Sequence, residues 1–128
     1  MTWTLVVPWD AGRLSSNAAG RLHWRSTAAL RRDARLAGDY AWRQAGCPKA
    51  TAPVKVDILV RRGRKMDDQN IIGGLKAVFD GIFVNKLTPD DSSAWVSFGR
   101  VDQLTGRQWG LRPETVLTVT ERELPAGG

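Results

Sequence analysis

Acidic residues are concentrated in one short segment of an otherwise basic chain. Of the thirteen Asp and Glu residues, five lie between residues 67 and 91, although the 128-residue protein has a formal net charge of +6. Two carboxylates about 4 Å apart repel each other by about 4 kcal/mol at an effective dielectric constant of about 20. The segment therefore needs compensation from a metal ion, from protonation or from its own lysine, Lys76. All five aspartates are candidate metal ligands: Asp67, Asp68, Asp80, Asp90 and Asp91.

The ligand types in this segment favour magnesium, with manganese as a substitute. Carboxylate oxygens are hard ligands, and a chain with one cysteine excludes a zinc site built from several thiolates. Magnesium held by a few carboxylates, with water and a substrate phosphate completing its shell, is the usual arrangement in phosphoryl chemistry. Lys76, near a phosphate oxygen, could stabilise the charge that develops there. The structural alternative is that Asp67 or Asp68 caps a helix and that residues 88–91 form a turn.

The basic charge of the chain indicates nucleic acid as the leading class of partner. A pI near 10.2 is an argument about partners rather than about fold. An anionic membrane surface is less well supported, because the arginines are not gathered on one amphipathic helix. No apolar run approaches the roughly 20 residues of a membrane span, and the N-terminus lacks a signal-peptide layout, which favours the cytoplasm. The candidate DNA-binding residues are Arg61, Arg62, Arg64, Lys65, Asn70, Arg21 and Arg25.

The hydrophobic periodicity predicts an α+β fold in one domain, residues 1–128. Strict alternation from Val54 to Val60 gives the clearest strand, and apolar residues at helical spacing predict two helices. We expect the Gly73-Gly74 pair to serve close backbone packing, since each glycine weakens a helix by about 1 kcal/mol relative to alanine. The result is a small mixed four-stranded sheet with two helices packed on it, in the order β-α-β-α-β-β. The predicted strands cover residues 2–7, 54–61, 94–100 and 116–121, and the helices cover residues 26–45 and 69–83.

The central segment resembles the RusA-type Holliday-junction resolvases, which are common in phages and prophages. The similarity lies in Met66-Asp67-Asp68-Gln69-Asn70, then Leu75-Lys76, then Asp80-Gly81 and then Asp90-Asp91-Ser92. The family pattern is Asp-x-Asp-Asn, a helix carrying Lys and an Asp-Gly or Asp-Ala pair, and a closing Asp-Asp. A weaker similarity upstream involves Leu14-Ser15-Ser16-Asn17 and Arg21-Leu22-His23-Trp24, so the resemblance covers nearly the whole chain.

The resemblance implies a small magnesium-dependent endodeoxyribonuclease that acts as a homodimer on four-way DNA junctions, in DNA recombination and repair. It implies that Asp67 and Asp91 bind the metal and that Lys76 is a catalytic lysine, so these three residues form the expected catalytic set. Asp80 matches a further acidic position of the motif, and Asp90 is expected as a supporting ligand.

The motif departs from the family pattern at one position. The second Asp of Asp-x-Asp falls on Gln69, and a neutral amide is a poorer magnesium ligand than a carboxylate. Asp68 could substitute after a shift of one residue. Alternatively, the protein could bind junctions with weakened cutting. A third alternative is a basic structural protein that binds RNA or a protein partner.

Overall fold

The structure is a computed structural model that describes residues 1–14, 24–106 and 113–122, without the side chains of residues 24–26. Its strands are β1 (Thr2–Val7), β2 (Val54–Arg62), β3 (Val96–Thr105) and β4 (Glu114–Glu121). A 3-10 turn (Ala11–Leu14) follows β1, and the α-helices are α1 (Trp24–Gln44), α2 (Asp68–Gly74) and α3 (Lys76–Ile82). The predicted α+β class and element order are confirmed, with α2 and α3 together taking the place of the predicted second helix.

The four strands form one mixed sheet in the order β1-β4-β2-β3. Strand β4 runs antiparallel to both β1 and β2, whereas β3 runs parallel to β2 at the edge of the sheet. Alternate residues of β2 from Val54 to Val60 are buried, as their apolar alternation predicts. These residues join the apolar faces of the three helices in one core. No helix in the described ranges combines the length and the apolar character that crossing a membrane requires.

Two elements differ most from the prediction, and backbone hydrogen bonds give the reason for each. The second helix is interrupted at Leu75 (φ −105°, ψ 0°), whose N–H donates to the carbonyl of Ile72, three residues back instead of four. The third strand was expected to end at residue 100, but β3 continues to Thr105. It does so because it pairs in parallel with β2 as far as Arg62. The predicted turn-rich connection therefore begins later than expected.

Helices α1 and α3 approach each other closely at one glycine on each helix. A Cβ atom at Gly38 would overlap the carbonyl oxygen of Val78, and one at Gly81 would overlap the carbonyl oxygen of Arg35. The close packing predicted for Gly73-Gly74 is wrong at its first residue, because a Cβ atom there would meet no described neighbour within 4 Å. The tight contact instead fixes the distance between α1 and α3, and Asp80 lies next to it in the sequence.

A lysine clamp ties the segment after α3 back to α1. The Lys86 ammonium donates hydrogen bonds to Asp39 Oδ1 at 2.7 Å and to the Gly81 carbonyl oxygen at 2.9 Å. It also lies 5.8 Å from the ring centroid of Trp42. The hydrogen bond from Lys86 is the largest cause of the lowered pKa of Asp39. Because this clamp anchors the chain between α3 and Asp91, it also supports the position of that aspartate.

Lys86→Met is expected to lower the free energy of unfolding by about 1–3 kcal/mol at pH 7, since the variant loses hydrogen bonds to a charged partner. The pKa of Asp39 is lower in the folded chain than its ordinary value of 3.8, so its ionised form favours folding. The stabilisation is therefore complete above the unfolded pKa and is lost as pH falls through the folded pKa. Urea unfolding at pH 7 and at acid pH measures both effects.

The matched control for this clamp is Arg43→Met. Arg43 also donates to Asp39, at 2.8 Å, but its side chain is 68% exposed. An exposed ion pair contributes less than a part-buried one, so Arg43→Met should change stability by roughly 0.5 kcal/mol or less. Equal losses in the two variants would mean that Lys86 contributes only a surface ion pair.

Candidate active site between Asp80 and Asp91

A cavity of about 340 Å³ opens beside α3 and collects charged side chains of the acidic segment. Its volume lies at the lower end of the roughly 300–1,000 Å³ typical of small-molecule sites. The charged lining consists of Lys76, Asp80 and Asp91. The apolar lining consists of Ile72, Phe79, Phe83, Val96 and Phe98. The cavity thus brings together Lys76 and Asp91 of the expected catalytic set with the predicted metal ligand Asp80, whereas Asp67, the third member of that set, lies outside its lining.

Two elements position these charged side chains. Lys76 and Asp80 lie four residues apart on α3, and both line the cavity, as their helical spacing predicts. Asp91 comes from the segment after α3, which turns at Asn85 in the left-handed conformation (φ 57°) and forms a short bridge between Val84 and Thr88. Asparagine tolerates this backbone conformation better than most residues. The turn therefore allows an acid from outside the helix to lie against one inside it.

The carboxyl group of Asp91 lies close enough to Asp80 to change the pKa of Asp80. Partial desolvation in the cavity raises the pKa of Asp80 above its ordinary value although the residue remains exposed, and the neighbouring Asp91 carboxyl raises it further. The Arg35 guanidinium acts in the opposite direction. We call Asp80 and Asp91 the acid pair. Two adjoining carboxyl groups whose charges repel are an arrangement that a bound cation stabilises.

Asp90 lies in the bend that precedes Asp91, one of the two carboxylates of the cavity. Its Oδ1 accepts the N–H of Ser92 at 2.8 Å, and its carbonyl oxygen accepts the hydroxyl of Thr88 at 2.6 Å. Hydrogen bonds from the side chain and backbone of Ser92 lower the pKa of the Asp90 carboxyl. The chain bends at residue 89, but the turn expected over residues 88–91 has no backbone hydrogen bond, and the side chains of Thr88 and Asp90 make the bonds instead. Asp90 bonds within this bend and lies outside the cavity lining, whereas Asp91 lines the cavity.

Asp67 and Asp68 are exposed at the start of α2, and neither belongs to the cavity lining. Asp67 occupies the N-cap position without a side-chain capping bond, and Asp68 is the first helical residue. The chain before them is fixed to β3 by Gln103, whose amide donates to the Met66 carbonyl oxygen at 2.7 Å and accepts the Met66 N–H at 2.8 Å. Two of the five predicted metal ligands thus line the cavity, and three do not.

Two of the predicted DNA-binding arginines already have acidic partners within the chain. Arg61 forms an ion pair with Glu114, the residue opposite it on β4. Arg62 forms an ion pair with Asp10 at 3.2 Å, and its side chain is 20% exposed. Binding of a phosphate by either arginine would compete with these contacts. The sequence analysis could not anticipate the pairs, because each joins segments far apart in the chain.

The other predicted DNA-binding residues differ in how accessible they are. Arg64 and Lys65 are exposed between β2 and α2, which leaves both side chains open to a phosphate backbone. Asn70 is half-buried in α2. Arg21 and the side chain of Arg25 lie outside the described residues. Of the predicted DNA-binding residues whose side chains are described, Arg64 and Lys65 are the two exposed candidates for a contact with DNA.

One cation near the acid pair was missed by the sequence analysis. Arg35 lies on α1, close enough to Asp80 to lower the pKa of that carboxyl against the effect of Asp91. The crossing of α1 and α3 creates this proximity, because Gly81 packs against the Arg35 backbone. The sequence shows Arg35 only as one of several arginines on a helix. The available signal was Gly81, directly after Asp80, because a glycine on a helix can mark the close approach of another backbone.

The donor set of the cavity fits a divalent cation whose shell is completed by water and substrate. Magnesium is commonly held by one or two carboxylates together with water and phosphate oxygens, and the acid pair supplies two carboxylates. A cation beside them would also relieve the repulsion that raises the pKa of Asp80. Within residues 1–14, 24–106 and 113–122, no group of three or more His, Cys, Asp or Glu side chains is arranged to hold a metal ion. The lining therefore suits a metal that binds together with a phosphate.

A comparison of the sequence with models of protein families gives no match, and a comparison with curated protein sequences gives no match either. The functional interpretation therefore depends on the geometry of the acid pair, on Lys76 and on the charge of the chain.

Proposed function

We propose that the protein is a magnesium-dependent, structure-selective endodeoxyribonuclease that resolves Holliday junctions and other branched DNA. The observation that carries the proposal is the cavity in which Asp80 and Asp91 adjoin beside Lys76. The same three residues belong to the segment that resembles RusA-type resolvases. A formal net charge of +6 suits a polyanionic substrate, whose phosphates attract Lys and Arg side chains.

Each charged residue of the cavity has a part in hydrolysis of a phosphodiester. Asp80 and Asp91 would hold Mg²⁺, or Mn²⁺ in its place, through carboxylate oxygens. A metal held there would supply an activated water and would neutralise charge on the phosphate. Lys76 binds a phosphate oxygen and stabilises the negative charge that grows there as water adds to phosphorus and the bridging oxygen leaves. Arg35 moderates the repulsion within the acid pair.

A four-way junction requires two nicks related by an approximate two-fold axis. A homodimer with C2 symmetry supplies two such cavities in matching orientations. Recognition of the branch would depend on contacts between basic side chains and phosphates, with little reading of base edges. The exposed Arg64 and Lys65 are well placed for this role. Such an enzyme would act in recombination and repair in the cytoplasm of a bacterial host, encoded by the host or by a phage.

A second candidate function is junction binding with little or no cutting. Gln69 stands where the resolvase motif has its second Asp, and its side chain is exposed on the first turn of α2. Among the described residues, the cavity lining includes two carboxylates. A metal held by two carboxylates depends more on substrate for its remaining ligands than one held by three. This candidate predicts the same DNA preference with a much smaller rate of hydrolysis.

Incubation of the purified protein with an end-labelled four-way junction separates the candidates. The nuclease proposal predicts paired nicks near the branch that require Mg²⁺ or Mn²⁺ and disappear in EDTA. Junction binding without nicks across a titration of both metals would favour the second candidate. Equal affinity for the junction and for linear duplex, again without nicks, would contradict both and favour a basic nucleic-acid-coating protein.

A further inference from the structure

Phe98 is an exposed aromatic residue that lines the cavity. It is 42% exposed, whereas Phe79 is 5% exposed and Phe83 is fully buried. The ring centroids of Phe98 and Phe79 lie 5.2 Å apart, and those of Phe79 and Phe83 lie 6.0 Å apart. We call these three residues the phenylalanine wall. One end of the wall belongs to the hydrophobic core, and its other end remains accessible to solvent beside the acid pair.

A β-bulge holds Phe98 in this position. Phe98 pairs with Val56, and the register between β2 and β3 shifts immediately after that pair. Asp57 Oδ1 accepts the N–H of Arg100 at 2.8 Å, and a Cβ atom at Gly99 would overlap the same oxygen. Bulges of this kind re-aim side chains and are over-represented next to active sites. The shift in register therefore accompanies the placement of Phe98 at the exposed end of the wall.

The charged and apolar sides of the cavity match the two chemical parts of a nucleotide. The acid pair with a cation, together with Lys76, suits a phosphate, and the phenylalanine wall suits the flat apolar face of a base. We propose that the phenylalanine wall binds a nucleobase that has left the base stack at the branch, while the adjoining phosphate lies at Lys76. This inference rests on the proposed nuclease function and states how its substrate is recognised.

Such a base-binding wall explains how the enzyme distinguishes branched DNA from intact duplex. Removing a base from the stack costs free energy, and the cost is smallest where pairing or stacking is already broken. Stacking of a base on an aromatic side chain strengthens binding by roughly five- to a hundredfold. Phosphate contacts respond to the path of the strands and not to the state of the bases. The phenylalanine wall strengthens binding only where a base has left the base stack.

Fluorescence of 2-aminopurine tests the proposal without any cutting. Junctions carrying this base at each nucleotide beside the branch are bound in EDTA. Its emission rises when the base leaves the stack. Wild-type protein should raise the emission at one or more of these positions. Phe98→Ala should abolish the rise and weaken junction binding by about tenfold, and Phe98→Leu should recover little of it because a leucine has no flat ring.

Leu104→Ala is the matched control. Leu104 lies on the same strand, is 37% exposed and is outside the cavity lining, so its truncation should change neither emission nor affinity. Phe98 is partly exposed, and its variants should keep the wild-type melting temperature within a few degrees. Circular dichroism checks that each variant is folded before its binding is compared.

An abasic nucleotide at the responsive position completes a thermodynamic cycle. If the base stacks on Phe98, removing the base and truncating Phe98 should have the same effect, and the two changes together should weaken binding no further. Additive losses would overturn the proposal. So would an unchanged emission in Phe98→Ala, or loss of dimerisation in that variant in sedimentation, because a second protein copy would then be the occupant of the wall.

The outcomes for the nuclease and for the base site can be told apart. If wild-type protein nicks junctions but shows no coupling between Phe98 and the base, the base site is wrong and the nuclease stands. If it shows the coupling without nicks, the base site stands on a junction-binding protein. If it neither binds nor cuts branched DNA, both proposals fail.

Discussion

Asp91→Asn and Asp80→Asn should each reduce nicking of a four-way junction by roughly 10³-fold or more, with little change in junction affinity. Each substitution removes one carboxylate from a pair that would hold the catalytic cation, and loss of a group on which the chemistry depends commonly has effects of this size. Affinity should persist because it comes from basic side chains and phosphates, and these variants remove negative charge. Single-turnover cleavage and gel-shift titration measure the two quantities separately.

Asp80→Asn has a second expected effect, on stability. This effect tests whether the loss of nicking could be due to misfolding. The pKa of Asp80 is raised in the folded chain, because partial desolvation and Asp91 disfavour its charged form. The folded state therefore binds more protons than the unfolded state, and wild-type stability falls as pH rises from the unfolded to the folded pKa. Asp80→Asn should melt at a slightly higher temperature than wild type at pH 7, with the difference vanishing below the ordinary Asp pKa of 3.8. A lower melting temperature at pH 7 would contradict this account.

Asp90→Asn is the matched control for the acid pair. Asp90 precedes Asp91 in the chain, but its carboxylate bonds to Ser92 within the turn. The variant keeps a side-chain oxygen that can accept the same hydrogen bond, so nicking should fall by no more than a few-fold. If Asp90→Asn were as inactive as Asp91→Asn, the catalytic role would belong to the whole turn and not to the acid pair.

Gly81→Ala and Gly38→Ala are each expected to be strongly destabilising. Each adds a methyl group that would overlap a backbone carbonyl oxygen of the facing helix. Since a backbone atom cannot rotate away as a side chain can, α1 and α3 must separate. The expected cost is about 3 kcal/mol, at the upper end of the usual range for overpacking. This is a large fraction of the 5–15 kcal/mol stability of a typical domain.

The same substitution at a third glycine, Gly73→Ala, should have the opposite effect on stability. A Cβ atom at Gly73 would meet no described neighbour within 4 Å, and this glycine lies within α2. Alanine is favoured over glycine in a helix by about 1 kcal/mol, so the variant should be slightly more stable than wild type. Urea unfolding of the three variants measures the contrast. Similar gains in stability in all three variants would mean that helix propensity, and not the close approach of α1 and α3, decides the outcome.

The fold could be predicted from the sequence where its signals are local. Apolar alternation identified β2 because every second residue from Val54 to Val60 is buried against the helices. The end of α1 was equally clear, since Gly46 takes a positive φ of 94° just beyond it. The break at Leu75 and the length of β3 were missed because they depend on a tightened turn and on pairing with a distant strand.

The sequence predicted which segment carries the candidate site but not which of its side chains meet in space. Composition and the motif singled out five aspartates, and the structure places Asp80 and Asp91 beside Lys76 in one cavity. Which acids meet depends on the turn at residues 83–91, and no periodicity encodes that turn. The ion pair of Arg61 with Glu114 and the exposure of Phe98 also follow from strand pairing. These long-range features became visible only in three dimensions.

The most direct measurement is a crystal soaked in MnCl₂, with anomalous diffraction recorded to locate the metal. Such a map reports the cation itself and requires no DNA. We expect one dominant anomalous peak within coordination distance of carboxylate oxygens from both Asp80 and Asp91, and no such peak in crystals of Asp91→Asn. A cavity without a peak, or a dominant peak at Asp67 and Asp68 alone, would contradict the claim that the acid pair holds the catalytic metal.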